Sequence, residues 1–392
     1  MKILMVSSYL PYPLHDGGKI RLYNLLKELK NEHEITLICE SRENQTVKDI
    51  HEVEKVCHKV VAYKRPKAYS VKNITKSLLG FDPFLISVHS HKEFKDLIKK
   101  ELDSEDYDLI HVETFYVMQN LPKTKTPIVL AEHNIEYLVY KRYADKSSLL
   151  KKPILYFDSL KIQNIEKKFW AKADRLVAVS ESDQKIMGDK ATLVPNGVDL
   201  EKFSLKKTDK SKSEKRVLFI GNFKWIQNKD SAIYIIKSIW PHVLLKNNNK
   251  YNLKLWIVGK NIPDSISKLS SENIIIDNNA PNETELIFQK ADVLLSPIRV
   301  GGGTNFKILE SMSCGTPVIT NNLGNEGLNA KNGDEILICE DPIDYAEKIV
   351  KVISDDYLYE KLSRNSRNFI EEKYDWRKIA KNLDRVYKYF AK

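Results

Sequence analysis

The apolar positions of this chain gather into short unbroken runs, each closed by a polar or glycine-containing turn. The first, KILMVS (2–7), is followed by such a loop and then by helical periodicity over Ile20–Leu29. Runs of this length bounded by turn signals predict buried parallel strands, because a strand covered on both faces has no reason to alternate. EITLIC (34–39), DLIHV (108–112), PIVLA (127–131), RLVAVS (175–180) and ATLVP (191–195) repeat the pattern, with helical segments between most of them. Strands alternating with helices predict a doubly wound α/β sheet.

The pattern lapses over residues 200–215, LEKFSLKKTDKSKSEK, which is charged and aperiodic and reads as a linker. It restarts with RVLFIGNF (216–223), LKLWIVG (253–259), NIIID (273–277), DVLLSP (292–297), PVIT (317–320) and EILIC (335–339). At 392 residues the chain is also too long for one ordinary core. The expectation is two Rossmann-like domains, 1–199 and 216–375, with a ligand cleft between the carboxyl ends of their sheets. Trp376–Phe390 is a lysine-rich amphipathic helix.

Composition narrows the class. The chain is 42% hydrophobic and 30% charged, as expected of a soluble globular protein, and no stretch approaches the length of a membrane span. The opening run is too short for the apolar core of a signal peptide. Cys39, Cys57, Cys314 and Cys339 lie far apart without CxxC spacing, which suits buried reduced thiols of a cytoplasmic protein. The formal charge is +10, but no basic motif interleaved with aromatics or zinc signature accompanies it, so nucleic acid is not an expected partner. Residues 51–100 hold 11 Lys/Arg against 5 Asp/Glu, which suits either a solvated surface or an anionic membrane face. The stretch 147–173, SSLLKKPILYFDSLKIQNIEKKFWAKA, reads as a core helix or as a lipid- or acceptor-facing one. Asp106-Tyr107-Asp108 spells DxD, but at the amino end of its strand, the wrong end for a ligand; no metal site is expected.

The chemistry concentrates in DVLLSPIRVGGGTNFKILESMSCGTPVIT (292–320). A strand ends at Ser296-Pro297, Gly301-Gly302-Gly303 follow, and Thr304 or Asn305 begins a helix that stops near Gly315. Consecutive glycines let backbone N–H groups approach a ligand, and a helix N-terminus adds donors and partial positive charge suited to a diphosphate. Arg299 and Lys307 can neutralise phosphate oxygens, and the Glu310 carboxylate can accept two hydrogen bonds from a vicinal diol such as that of ribose. A plain surface helix with an exposed Lys307–Glu310 pair is the alternative.

Glu310 with the MSCGTPVI tail resembles the donor signature of GT-B glycosyltransferases of family 4, and the likeness extends over nearly the whole chain. The form GGGT-x-x-K-x-x-E looks like a variant subgroup: the first acidic position of the signature falls on Gly302. What the resemblance implies is a retaining transfer of a sugar from a UDP- or GDP-sugar to a glycan or lipid-linked acceptor in bacterial surface polysaccharide synthesis. No cofactor or metal is required in that scheme. PNGVD (195–199) resembles the inter-domain junction, and the last helix, within 376–392, is expected to cross back onto the first domain. The family's arginine and lysine for the diphosphate fall on Asn222 and Gln227, which leaves Asn222, Lys224, Arg299 and Lys307 to bind phosphate. Thr304 and Asn305 join this donor-binding set. Gly18, in the loop after the first strand, matches a glycine approaching donor phosphate and acceptor. His133, in VLAEHNIEY, matches a histidine that touches the donor sugar. Gly302 has no carboxylate to offer that sugar, so Gly303, Thr304 and His133 are expected to hold it instead. Glu132 or Asn134 is placed to orient the imidazole. His133, Lys307 and Glu310 form the expected catalytic set. A sugar-nucleotide 2-epimerase and a non-catalytic nucleotide-sugar-binding module share the same features.

Overall fold

A computed structural model of the chain describes residues 1–67, 82–145, 147–206, 213–279, 281, 283–299 and 304–391. The chain divides into two compact units, Met1–Pro195 with Trp376–Lys392, and Asn196–Asp375.

Among the described residues, the first unit is a seven-stranded sheet in which every pairing is parallel. Its strands are β1 (Lys2–Ser7), β2 (Glu34–Ser41), β3 (Lys59–Lys64), β4 (Leu109–Glu113), β5 (Ile128–Glu132), β6 (Arg175–Ala178) and β7 (Ala191–Leu193). They lie in the order β3-β2-β1-β4-β5-β6-β7, so the direction of winding reverses between β1 and β4. The helices between them are α1 (Gly17–Leu29), α2 (Val47–Glu54), α3 (Phe84–Val88), α4 (Lys92–Ser104), α5 (Glu136–Asp145), α6 (Lys152–Lys172) and α7 (Glu181–Met187). The second unit repeats the plan with β8 (Glu214–Asn222), β9 (Asn252–Lys260), β10 (Ile274–Asp277), β11 (Val293–Ser296), β12 (Val318–Thr320) and β13 (Leu337–Ile338). Its order, β10-β9-β8-β11-β12-β13, reverses between β8 and β11. Its helices are α8 (Ile226–Tyr234), α9 (Trp240–Asn247), α10 (Asp264–Ser267), α11 (Thr284–Lys290), α12 (Phe306–Ser313), α13 (Pro342–Ser354) and α14 (Asp356–Lys373), and α15 (Trp376–Lys388) follows as part of the first unit.

The unbroken apolar runs are explained by burial on both sheet faces. Val217, Phe219, Leu255 and Ile257 face one core of the second unit, while Leu218, Ile220, Trp256 and Val258 face another. Both units are doubly wound and Rossmann-like, as the alternation of runs and helices implies. Strand β3 is absent from the sequence reading: KVVAYK is an edge strand, half-buried in the middle and exposed at both lysines, so it lacks a buried run. Helix α1 starts at Gly17, so Gly17 and Gly18 lie in its first turn and not in a preceding loop. Asp16 caps it by accepting from the Lys19 N–H at 3.1 Å. The stretch read as a linker is partly structured: Phe203 is buried against Phe288, and Glu214 and Lys215 already pair in β8. Residues 207–212 of it lie outside the described residues.

Candidate functional site

In doubly wound sheets, ligands bind at the carboxyl ends of strands where the winding reverses. In the first unit that point is the end of β1 and β4. Glu113, the last residue of β4, is fully buried. Its two oxygens accept from His133 Nε2 at 2.6 Å and from His111 Nε2 at 2.8 Å. A carboxylate only accepts, so both imidazoles donate from Nε2. His111 Nδ1 then accepts from the Tyr387 hydroxyl of α15, 2.9 Å away. Burial alone would raise the Glu113 carboxyl, but His133 and the hydrogen bonds from the two histidines hold it well below the usual carboxylate range. The other edge of the His133 ring faces Gly18: a Cβ built there would stand 3.3 Å from Nδ1 and Cε1. Thr114, next after Glu113, takes φ 72°, which is strained for a β-branched residue, and its hydroxyl meets that of Ser8 at 3.1 Å.

The structure therefore replaces Glu132 and Asn134 as the residues that orient His133. Alternation along the chain turns Glu132 away from the imidazole, and Trp170 Nε1 donates to it at 3.2 Å. Glu113 escaped the sequence reading because it closes β4, 20 residues before His133, and meets it only through the pairing of β4 with β5. Its signal was an acid closing a buried strand that also carries a histidine two residues before it. Asp108 of the DxD string accepts from the backbone N–H of Lys2 at 2.7 Å, fastening β4 beside β1 at their amino ends.

In the second unit the corresponding point is the end of β8 and β11. Gly221 is required there because a Cβ would stand 2.7 Å from Cγ of Asn228. Asn228, in the first turn of α8, donates to the Asn222 carbonyl at 2.9 Å and accepts from Lys307 Nζ at 2.9 Å. The Lys307 ammonium also lies 4.7 Å from the centre of the Phe219 ring. Lys307 and Glu310 are half-buried, not an exposed surface pair. Burial lowers the Lys307 pKa to about 8, against the pull of Glu310. Burial raises the Glu310 pKa to about 7, partly offset by Lys202 and Lys307. A cation held short of full solvation beside a carboxyl near its titration point is suited to an anionic, hydroxyl-bearing ligand.

Other sequence candidates divide. Asn305 is the N-cap of α12 and Thr304 precedes it; among the described residues the buried Thr304 hydroxyl has no hydrogen-bond partner. Lys224 is exposed, and its backbone N–H donates to Asn222 Oδ1 at 3.1 Å. That oxygen also accepts from Asn261 at 3.1 Å and so ties the loop together, which leaves the amide N–H groups of Asn222 as its donors toward a phosphate. Arg299 is paired with Asp230 at 3.1 Å and lies 4.7 Å from the Tyr234 ring, with half of its side chain exposed. Gly302 and Gly303 lie outside the described residues. In this unit Asn228 is the residue that sequence reasoning missed; an asparagine inside a helical turn, where it is a poor former, was the available signal.

Residues 15–202 match the family model described as glycosyltransferase family 4, and residues 214–355 that described as glycosyl transferases group 1. The chain is a glycosyltransferase built from these two domains. Over 97% of this glycosyltransferase and 98% of the relative, it is 25% identical to an uncharacterised 44.6 kDa protein in the cps region of Klebsiella pneumoniae. The capsular polysaccharide biosynthesis glycosyltransferase CapM of Staphylococcus aureus is 26% identical over 50% of the chain and 54% of its own. An Escherichia coli UDP-Gal:alpha-D-GlcNAc-diphosphoundecaprenol alpha-1,3-galactosyltransferase is 24% identical over 75% of the chain and 78% of its own. Among solved structures, sucrose-phosphate synthase from Thermosynechococcus elongatus superposes with a TM-score of 0.73 at 15% identity, covering 99% of both chains. HepE of Anabaena in complex with UDP-glucose does so at 0.61 and 14%, covering 98% and 99%. The glycosyltransferase thus has the GT-B fold.

Proposed function

We propose that the enzyme transfers a sugar, with retention, from a UDP- or GDP-sugar to a glycan or lipid-linked acceptor of a bacterial surface polysaccharide. The carrying observation is Lys307, held by Asn228 over Phe219 at the end of β8 and beside the start of α12. Its charge neutralises the leaving diphosphate as the glycosidic bond breaks, and the α12 N-terminus and neighbouring amides add to that electrostatic task. Glu310, whose carboxyl makes no hydrogen bond among the described residues, accepts from the ribose diol. In its neutral form His133 is left with an unprotonated Nδ1, because Glu113 holds Nε2–H; that lone pair accepts from a sugar hydroxyl. The leaving phosphate itself takes the acceptor proton on the front face, so no protein base and no metal enters the scheme. UDP-galactose and a lipid diphosphate in the name of the E. coli relative, and UDP-glucose with HepE, support this donor and acceptor class. The site of action is the cytoplasmic face of the cell membrane.

The test is thermal shift of the purified protein against UDP-, GDP- and dTDP-sugars, followed by NMR of the product anomer formed from the stabilising donor. One nucleotide series should raise the transition and the product should keep the donor's anomeric configuration. Conversion of the donor to its 2-epimer without any acceptor would replace this reading with that of an isomerase.

A further inference from the structure

Helix α6 is apolar on two opposite faces. One face, with Ile162, Phe169 and Trp170, is buried in the core of the first unit. The other carries Ile154, Phe157 and Leu160, which are 69%, 61% and 61% exposed, and the turn before it adds Leu149 and Leu150 at 83% and 90%. On α5, Tyr143 is 63% exposed as well. Scattered surface leucines need no explanation, but a contiguous set on one helix and its leading turn does.

The charges around this set are predominantly basic. Lys141, Arg142, Lys151 and Lys152 flank it, and the Lys161 ammonium lies 4.8 Å from the centre of the Phe157 ring. Of the acids near it, Asp145 accepts from the Tyr156 hydroxyl and Asp158 is half-buried, its carboxyl raised by burial. A core of leucine, isoleucine and phenylalanine rimmed by lysine stems matches an interfacial helix, whose apolar side chains enter the acyl boundary while the ammonium groups stay among phosphates. The same rim disfavours a second copy of this chain, which would set like charges against each other, and lysine is depleted where protein interfaces bury their cores. The opposite face of α6 stays packed in the core of the first unit, so the contact lies in the interface plane.

We infer that the outer face of α6, with the Leu149-Leu150 turn, docks the protein on an anionic lipid bilayer. Helix α5 begins three residues after His133, so the docked hairpin continues the loop that bears that histidine. The lipid contact does not depend on donor chemistry; that it presents a lipid-linked acceptor rests on the function proposed above.

The experiment is co-sedimentation of the full chain with vesicles of phosphatidylcholine alone and with 30% phosphatidylglycerol, at physiological salt (an ionic strength of ~0.15 M). Binding to the anionic vesicles should be at least tenfold tighter than to the neutral ones. The pair Ile154→Ser with Phe157→Ser should lose at least tenfold of that binding while keeping its thermal transition. Should that pair fail to fold, Lys151→Glu with Lys152→Glu should show the same loss. The indole introduced by Phe157→Trp should shift its emission to the blue when anionic vesicles are added. Absence of sedimentation by the wild type, wild-type binding by a folded variant, or an emission unchanged by vesicles would each overturn the inference. So would a dimer in sedimentation velocity that Ile154→Ser with Phe157→Ser dissociates, because a second copy would then own the face. Failure of the proposed function looks different: no nucleotide sugar raises the transition, yet vesicle binding persists.

Discussion

At the scale of single residues, Lys307 and Glu310 carry opposite pKa shifts with one cause. Burial lowers the lysine to about 8 and raises the glutamate to about 7. A diphosphate stabilises the ammonium, so nucleotide affinity should be full below about pH 8 and decline above it. Hydrogen bonds from a ribose diol favour the ionised carboxyl, so affinity should also decline as pH falls below about 7. Titration calorimetry with UDP, or with whichever nucleotide raises the transition, should give a maximum between these limits and a loss of up to about tenfold per pH unit outside them. Lys307→Ala should remove the alkaline limb, cut turnover by about 10²–10³-fold and leave the thermal transition near the wild-type value. Retained turnover in that variant would exclude the assigned role. Glu113→Gln tests the other unit. A glutamine offers one acceptor oxygen where two imidazoles now donate, so the His133 tautomer is no longer fixed. Turnover should fall by about 10–100-fold, as when a group orienting a site histidine is lost, with nucleotide affinity unchanged. Equal loss in both quantities would mean that Glu113 serves folding alone.

Elements show how far the sequence could be read. The buried strands were legible because burial on both faces leaves an unbroken apolar run, and the start of α12 because the cap at Asn305 marks it. What stayed hidden was set by contacts between distant segments. Strand β3 lacks a run because it is an edge, Glu113 reaches His133 only once β4 lies beside β5, and Arg299, in the loop after β11, pairs with Asp230 of α8. The meeting of α5 and α6 is of the same kind. Glu166 on α6 accepts from the backbone N–H groups of Glu136 and Tyr137, at 2.9 and 3.1 Å, capping the first turn of α5. Burial and the neighbouring carboxyls raise its pKa and that of Glu132. A carboxyl whose folded pKa lies above its ordinary 4.5 loses stability as pH rises from that value through the raised one. Glu166→Gln does not titrate. Its melting temperature relative to wild type should therefore climb between pH 5 and pH 8, whatever the two proteins' order at pH 5. A constant difference across that range would show that Glu166 ionises as an ordinary surface acid.

For the molecule as a whole, the consequential feature is that the chain leaves its first unit at Pro195 and returns to it at Trp376. The two crossing segments run side by side in the second unit, where Val198 N–H donates to the Tyr374 carbonyl at 2.7 Å. The returning helix α15 buries Trp376, Ile379, Ala380, Leu383, Val386 and Tyr387 in the first unit, and its Asp384 meets His33 at 2.9 Å. Large apolar side chains are worth about 1.5–3 kcal/mol each when fully buried. Their sum is comparable with the ~5–15 kcal/mol that stabilises a whole domain. Truncation after Asp375 should thus unfold the first unit while the second, with its own cores, keeps a calorimetric transition that the nucleotide still raises. A gentler change separates packing from chemistry. Tyr387→Phe keeps the ring between His33 and His111 and removes only the hydroxyl that bonds His111. It should cost about 1 kcal/mol of stability, the usual net worth of one hydrogen bond. It also frees His111 to change tautomer and withdraw its N–H from Glu113, so turnover should fall in the same direction as for Glu113→Gln but by less. If Tyr387→Phe lowers stability and leaves turnover and its pH profile untouched, α15 is a packing element and the wiring from Tyr387 to His133 carries no function.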